Sequence, residues 1–265
     1  KRLIYSVIEY KNLIKKINPC LIISLQTYAN VFCLIIKYFF LNEFKLICSE
    51  RLSLEILKSN LKGKIILLFY KIFYRYASGI VCISNGLKKE IEITVSKNIK
   101  NLKVIYNPTF RKDLHKLSKK KVAYNFKKNK FKYIVSIGRL EKVKNQLMQL
   151  KAAMILKKKI NFKLILIGDG SEKKQLNEFV NENDLNNNVE FINFVKNPYP
   201  FFKNADLIIN TSNFEGLCNV IIESIFLKKF VISTDCPVGP KELIINKKIG
   251  ILIKKNDHEE LAKQV

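Results

Sequence analysis

The sequence predicts an α/β protein made of two Rossmann-like units with parallel sheets. Three observations carry that expectation. Short apolar runs of strand length alternate with stretches of helical periodicity, most regularly from Tyr133 onward. The connections between them are short and hold Gly, Asn, Pro or Ser, the residues that end one element and start the next. A Lys- and Asn-rich stretch with little periodicity, Thr109 to Lys130, separates two such series and reads as a linker. The expected division is residues 1–108, a linker at 109–130, and a second domain at 131–265.

Taken in order, Leu3 to Ile17 carries apolar residues at Leu3, Val7, Ile8, Leu13, Ile14 and Ile17, and reads as a helix that Asn18-Pro19 ends. Leu21–Ser24 is a strand of buried type, and Tyr28 to Leu41 a helix apolar on most sides. Lys45–Cys48 is a strand running into Ser49-Glu50-Arg51. Leu54 to Tyr76 reads as one long helical region, Gly79–Ser84 as a strand, and Asn85-Gly86 as the start of another helix. Val104-Ile105 is a short strand stopped by Asn107-Pro108. An α/β domain that opens on a helix reads as one lacking its N-terminal part, and the stop at Val265 reads as a truncated C-terminal end.

The second half is the more regular. Strands are expected at Tyr133–Ile137, Phe162–Ile167, Val189–Phe194, Leu207–Ile209, Phe230–Ser233 and Gly250–Ile253. Helices are expected at Asn145–Lys159, Glu172–Asn181, Tyr199–Lys203, Asn219–Leu227 and Lys241–Ile245. Ser171 and Asp257 suit helix N-caps, Asp257–Glu260 has capping-box spacing, and Pro240 suits a first helical position.

With 48% hydrophobic and 26% charged residues, the chain is globular rather than disordered. Its 48 Lys and Arg against 22 Asp and Glu give a formal +26, which favours an anionic partner: nucleic acid, an acidic lipid surface or a phosphate-bearing substrate. The lysines are spread over the whole length, and no helix-turn-helix, zinc-finger or RRM pattern occurs, which argues against nucleic acid. Six cysteines without C-x-x-C pairs, and only His115 and His258, give no zinc spacing and read as reduced cytoplasmic thiols. Val31–Phe40 and Ile65–Tyr74 are the most apolar stretches, and both fall short of a spanning helix. Lys62, Lys64, Lys71 and Arg75 flank Ile65–Tyr70 and Ile72–Tyr74. That is the pattern either of a basic amphipathic helix lying on the inner face of a membrane or of a core helix with snorkelling lysines.

Loops after strand ends carry the chemistry, because open α/β sheets bind ligands there. Asn210 to Ile232 reads as strand, loop and helix, with Glu215 in the loop and Glu223 in the helix. Carboxylates there suit sugar hydroxyls, while the helix N-terminus suits an anion. A solvated loop Glu beside a helix-face Glu explains the pair equally well. Arg139 and Lys144, after the first strand of this half, offer a planar fork and a point charge for a diphosphate, although taken alone they read first as two surface cations in a chain full of them. Gly168-Asp169-Gly170 lets backbone approach a ligand, and Phe194-Val195-Lys196 is a wall for a flat base.

Four motifs in fixed order carry a resemblance: G-R-L-x-x-x-K-N, G-D-G, E-G-L-C-N-V-I-I-E-S and T-D-C-P-V-G-P-K-E. Together they resemble glycosyltransferase family 4, retaining enzymes of GT-B fold that build cell-surface polysaccharide or lipid-linked oligosaccharide. The resemblance covers the second domain, and S-E-R, C-I-S-N-G and V-I-Y-N-P extend it into the first. It implies two Rossmann-like domains facing a cleft and a nucleotide-sugar donor, UDP-linked, held mainly by the second. By residue match, Arg139 and Lys144 hold the diphosphate and Glu215 the transferred sugar. Gly216, Leu217, Cys218 and Asn219 offer backbone N–H groups, Gly170 and Val195 lie by the donor, and Glu223 holds the ribose. Glu50 falls near the first-domain residue at the reacting centre, on the acceptor side. Cys218 stands where the family usually has Pro, which puts a thiol near the donor. The implied acceptor is a glycan or polyprenyl-linked saccharide, with no metal and no cofactor. Two other readings stay open: a basic nucleic-acid- or membrane-binding protein without catalysis, and a truncated, inactive transferase.

Overall fold

The computed structural model describes residues 2–40, 44–96, 99, 101–109, 112–127 and 129–265. The chain divides into two compact units, Lys1–Asn107 and Pro108–Val265.

The first unit runs α1 (Arg2–Ile17), β1 (Leu21–Leu25), α2 (Thr27–Phe40), β2 (Lys45–Glu50), α3 (Leu61–Phe73), β3 (Gly79–Cys82), α4 (Asn85–Thr94) and β4 (Leu102–Val104). Leu41, the expected end of α2, lies outside the described residues. The four strands form a parallel sheet in sequence order, with Ile23 opposite Ile47, Ile47 opposite Gly79 and Val81 opposite Lys103. The expected long helix at 54–76 is not continuous. A 3-10 segment, Leu54–Ser59, ends at Asn60, whose backbone is extended and whose side chain caps α3 by accepting from the Gly63 N–H at 2.8 Å. Gly63 is required there, because a Cβ would lie 2.2 Å from the Leu57 carbonyl oxygen.

The second unit holds β5 (Lys132–Ile137), α6 (Gln146–Leu156), β6 (Phe162–Ile167), α7 (Lys173–Glu182), β7 (Val189–Ile192), α8 (Tyr199–Asn204), β8 (Leu207–Asn210), α9 (Asn219–Phe226), β9 (Val231–Thr234), α10 (Pro240–Leu243), β10 (Gly250–Ile253) and α11 (His258–Gln264). Its six strands are all parallel, in the order β10-β9-β8-β5-β6-β7. Strands buried on both faces read as continuous apolar runs, which is why the sequence located them closely. One core cluster packs Leu150, Ala153, Phe162, Leu164 and Leu261; the other packs Tyr133, Val135, Phe201, Phe202 and Ile221.

Two expectations need correction. Residues 109–130 do not form a bare linker. A short helix, α5 (Leu114–Ser118), precedes β5, and Leu114 is buried in the second core cluster. Tyr124 and Phe126 pack against Tyr133 and Phe201, with ring centroids 4.7–6.2 Å apart among the four. The second unit therefore includes this stretch. Ser171 is not the cap of α7; Glu172 occupies that position, and the Ser171 hydroxyl donates to Glu141 instead. Asp257 does cap α11, accepting from the Glu260 N–H at 2.9 Å.

Candidate active site

The second sheet reverses its direction of growth between β5 and β8, and open α/β sheets bind ligands at such a switch point, beyond the carboxyl ends of the strands. Both loops carry charge. Lys144, on the loop after β5, places Nζ 2.6 Å from Oε1 of Glu215, on the loop after β8. Burial of Lys144 works against its charge, but the charge and hydrogen bond of Glu215, with Cys218 beside them, together raise the lysine pKa, so the ammonium stays charged. The lysine stem runs over Gly138, where a Cβ would sit 3.8 Å from Cε. Arg139 is exposed and near enough to oppose the Lys144 charge.

A hydrogen-bonded frame fixes this pair. The Gln146 side chain donates to the Arg139 carbonyl at 2.9 Å. Gln149 donates to the hydroxyls of Ser136 and Thr211, and Thr211 in turn donates toward the carbonyls of Lys144 and Asn145. The Asn213 N–H reaches the Val143 carbonyl at 2.8 Å. On the far side of the loop, Thr234 and Cys236 both donate to the Ser212 carbonyl. Asn145 bends the backbone into α6 with φ 51°, a conformation Asn tolerates. Sequence reasoning missed the frame because its members are polar residues of ordinary type scattered over 100 positions.

The G-D-G loop after β6 packs against the loop after β5. Cβ atoms at Gly168 and Gly170 would lie 2.0 Å from the Gly138 oxygen and 2.3 Å from the Leu140 oxygen, and Gly168 has φ 148°. These glycines therefore serve loop-to-loop contact. Ser171 adds two hydrogen bonds to Glu141, whose pKa they lower. Beside Arg139 a cavity of about 400 Å³ is lined by Ile137, Ile167, Phe194, Val195 and Pro198 among others, mostly apolar and of a size for a planar ring. Phe194 lies past the end of β7 with its ring in solvent, although the sequence placed it in the strand.

The E-G-L-C-N turn leads into α9, whose first amides have no intrahelical acceptor. Gly239, at φ 99°, brings the T-D-C-P-V-G-P loop against Gly216, with a Cβ position 3.2 Å from its oxygen. The Cys218 side chain is not an exposed, reactive thiol. It is buried in the second core cluster, and burial raises its pKa far above the ordinary thiol range. Asn219 accepts from the Thr109 hydroxyl at 3.0 Å. Glu223 is half-buried in α9 and accepts from the Tyr199 hydroxyl at 3.1 Å.

Glu50 is corrected outright. Its carboxylate is fully buried in the first unit and accepts from Thr27 and Asn30 at 2.6 Å each and from the Tyr74 hydroxyl. A group so enclosed anchors β2 to α2 and the end of α3, and presents nothing to an acceptor. Burial pushes its pKa up to about 7, against the pull of the Thr27 and Asn30 hydrogen bonds. The folded state therefore holds a proton that the unfolded chain releases near the ordinary glutamate value. The stability this contributes is complete below the unfolded pKa and is lost as pH rises through about 7. Urea unfolding between pH 5 and 8.5 is expected to show falling stability, and Glu50→Gln to flatten the slope. Identical slopes in both proteins would count against the assignment.

Known proteins resemble this chain in sequence and in fold. The model of the family described as Glycosyl transferases group 1 matches residues 118–265. The chain is 36% identical over 245 residues to an uncharacterized glycosyltransferase of Methanocaldococcus jannaschii, covering 88% of this chain and 59% of that protein. It is 28% identical over 209 residues to a Campylobacter jejuni N-acetylgalactosaminyltransferase named for a diphospho-undecaprenol acceptor, covering 79% and 55%. In fold it is similar to Anabaena HepE, solved with UDP-glucose, at TM-score 0.76 and 20% identity, covering 97% of this chain and 70% of that one. The two parallel-sheet units give the GT-B class that this likeness shares. The chain spans a little over half the length of the curated relatives it matches. With more than half of its residues inside the matched region, the chain belongs to the glycosyl transferases group 1 family.

Proposed function

We propose that this chain belongs to a retaining glycosyltransferase of cell-surface polysaccharide synthesis. It moves a hexose or N-acetylhexosamine from a UDP-linked donor to a glycan or polyprenyl-linked saccharide. The observation that carries the reading is the ion pair of Lys144 and Glu215 at the sheet's switch point, with Arg139 and an apolar cavity beside it. The cavity suits the base, and Val195 and Gly170 sit on the loops around it. Arg139 and Lys144 suit the diphosphate; Glu215 suits hydroxyls of the transferred sugar and Glu223 those of the ribose. The relative from C. jejuni supports the lipid-linked acceptor, and HepE the UDP-sugar.

Chemically, bond breaking at the anomeric carbon sends negative charge onto the diphosphate. Fixed cations aimed at that charge stabilise it without reorganising at the moment of reaction. An acceptor hydroxyl attacking from the same face retains configuration. Thermal-shift screening of the full-length protein against nucleotides and nucleotide-sugars tests the reading. UDP-sugars are expected to raise the melting temperature more than adenine or guanine counterparts, and no shift with any of them would overturn it.

The two cations also supply the charge that a divalent ion would bring to the diphosphate. Among the described residues, no group of three or more His, Cys, Asp or Glu side chains is placed to bind a metal. Turnover is expected to survive EDTA unchanged. Loss of activity that magnesium or manganese restores, with the protein still folded, would refute metal independence.

A further inference from the structure

Gln149 closes the first turn of α6 and is 2% exposed. The buried residues that follow it on the helix, Leu150, Ala152, Ala153 and Leu156, are apolar. Its Nε2 donates to Ser136 Oγ at 2.9 Å and to Thr211 Oγ1 at 2.8 Å, while its Oε1 has no hydrogen-bond partner among the described residues. A buried amide with an unmet oxygen costs stability. An apolar side chain of the same length would fill the space without that cost, so core packing does not explain a glutamine here. A chain that breaks the core rule in this way does so where function sets the residue.

The amide spans the switch point of the second sheet. Among the described residues, β5 and β8 pair only through Ile134 with Leu207 and Val135 with Ile208. On their other sides the same strands pair further, β5 with β6 as far as Ile137 and β8 with β9 as far as Asn210. The two central strands therefore part at their carboxyl ends, and Gln149 bridges them by a side chain. Ser136 and Thr211 continue the rows of Ile134 and Ile209, which face the core that α6 covers. Thr211 passes the constraint on, since its hydroxyl lies 3.0 Å from the carbonyl oxygens of both Lys144 and Asn145. One chain of contacts thus runs from α6, across the parted strands, to the backbone that carries Lys144.

We propose that Gln149 is a positioning residue for the transfer reaction. Enclosed in the core, it meets no substrate. It holds the ends of β5 and β8 at the spacing that sets the Lys144 ammonium against the leaving diphosphate. The inference rests on the role of Lys144 proposed above. A cation stabilises developing charge best when its position is fixed in advance. A displacement of about 1 Å caused by a residue away from the chemistry can cost about 100-fold in rate. Ground-state binding of the donor, which Arg139 and the apolar cavity share, asks less of that spacing. The loss should therefore fall on kcat and spare KM.

Donor-dependent kinetics of the full-length protein test the proposal. Gln149→Met keeps the length and removes the amide. It is expected to lower kcat by about 10- to 100-fold, with KM for the donor within about threefold of wild type. The decisive measurement is the double variant. If Gln149 works through Lys144, adding Gln149→Met to Lys144→Met should lower the residual rate by less than about twofold, whereas an independent structural loss would multiply. Gln149→Met also leaves the Ser136 hydroxyl without its donor. Gln149→Met with Ser136→Ala removes both partners, which is close to neutral for folding, and the same kcat loss is expected of it. An unchanged kcat in folded Gln149→Met, with Lys144→Met impaired, would overturn the positioning role and leave the reading of Lys144 standing. So would a loss confined to KM, or losses that multiply in the double variant. Failure of both Gln149 variants to fold would make the amide a purely structural bond and overturn the proposal as well. Wild-type turnover in Lys144→Met would overturn both the proposal and the reading beneath it.

Discussion

Lys144→Met is expected to lower turnover at saturating donor by about 100- to 1,000-fold, the range for removing one fixed stabiliser of developing charge. On the proposed reading the ammonium meets the diphosphate as its charge grows, and its loop is held by Gln149, Thr211 and Asn213. A second effect accompanies the first. With the lysine gone, the Glu215 carboxylate, 9% exposed, keeps its burial and loses its counter-ion. Stranding one member of a buried pair costs about 3–5 kcal/mol, whereas neutralising both members is often tolerated. Lys144→Met with Glu215→Gln should therefore recover most of the lost stability and none of the lost rate. Arg139 remains in both variants, which keeps some donor affinity. Turnover within threefold of wild type in Lys144→Met would remove the lysine from the reaction, and a double variant less stable than the single would refute the account of the pair.

That pairing also marks where sequence reading stops. Lys144 and Glu215 stand 71 residues apart, and each was identified by residue type, loop position and motif. Their contact depends on β8 lying beside β5, a neighbour relation that strand–helix alternation leaves undetermined. The strands of the second unit were legible because both their faces are buried, so their apolar runs have sharp edges. The break at Asn60 was not, because the apolar pattern continues on both sides of it and a single Asn is an ordinary residue on a helix face. Residues 109–130 looked featureless because Leu114, Tyr124 and Phe126 enter the core as isolated anchors, which leave no period to detect. Glu50 misled for a related reason. Its donors Thr27, Asn30 and Tyr74 come from elements 20 to 24 residues away, so nothing local announced a buried carboxylate.

Glu215 and Glu223 are expected to fail in different kinetic parameters. On the proposed reading Glu215, paired with Lys144, holds hydroxyls of the hexose, and those hydrogen bonds can tighten as the ring flattens toward the transition state. An interaction that strengthens only there appears in kcat. Glu223 lies about one turn into α9, accepting from Tyr199, and is proposed to grip the ribose, whose geometry the reaction leaves alone. Its loss removes donor and transition-state binding equally, which raises KM for the donor. A hydrogen bond to an ionised group contributes about 1.5–3 kcal/mol, so each Glu→Gln change should cost about 10- to 150-fold. Donor-dependent kinetics of Glu215→Gln and Glu223→Gln in the full-length protein, at equal melting temperatures, measure the split. Tyr199→Phe adds a control: it removes the hydroxyl that donates to Glu223 and should change KM for the donor by a smaller factor. Near-wild-type rates for Glu215→Gln would exclude it from the site. Equal kcat losses in both variants with KM unchanged would refute the division of roles and leave the family membership standing.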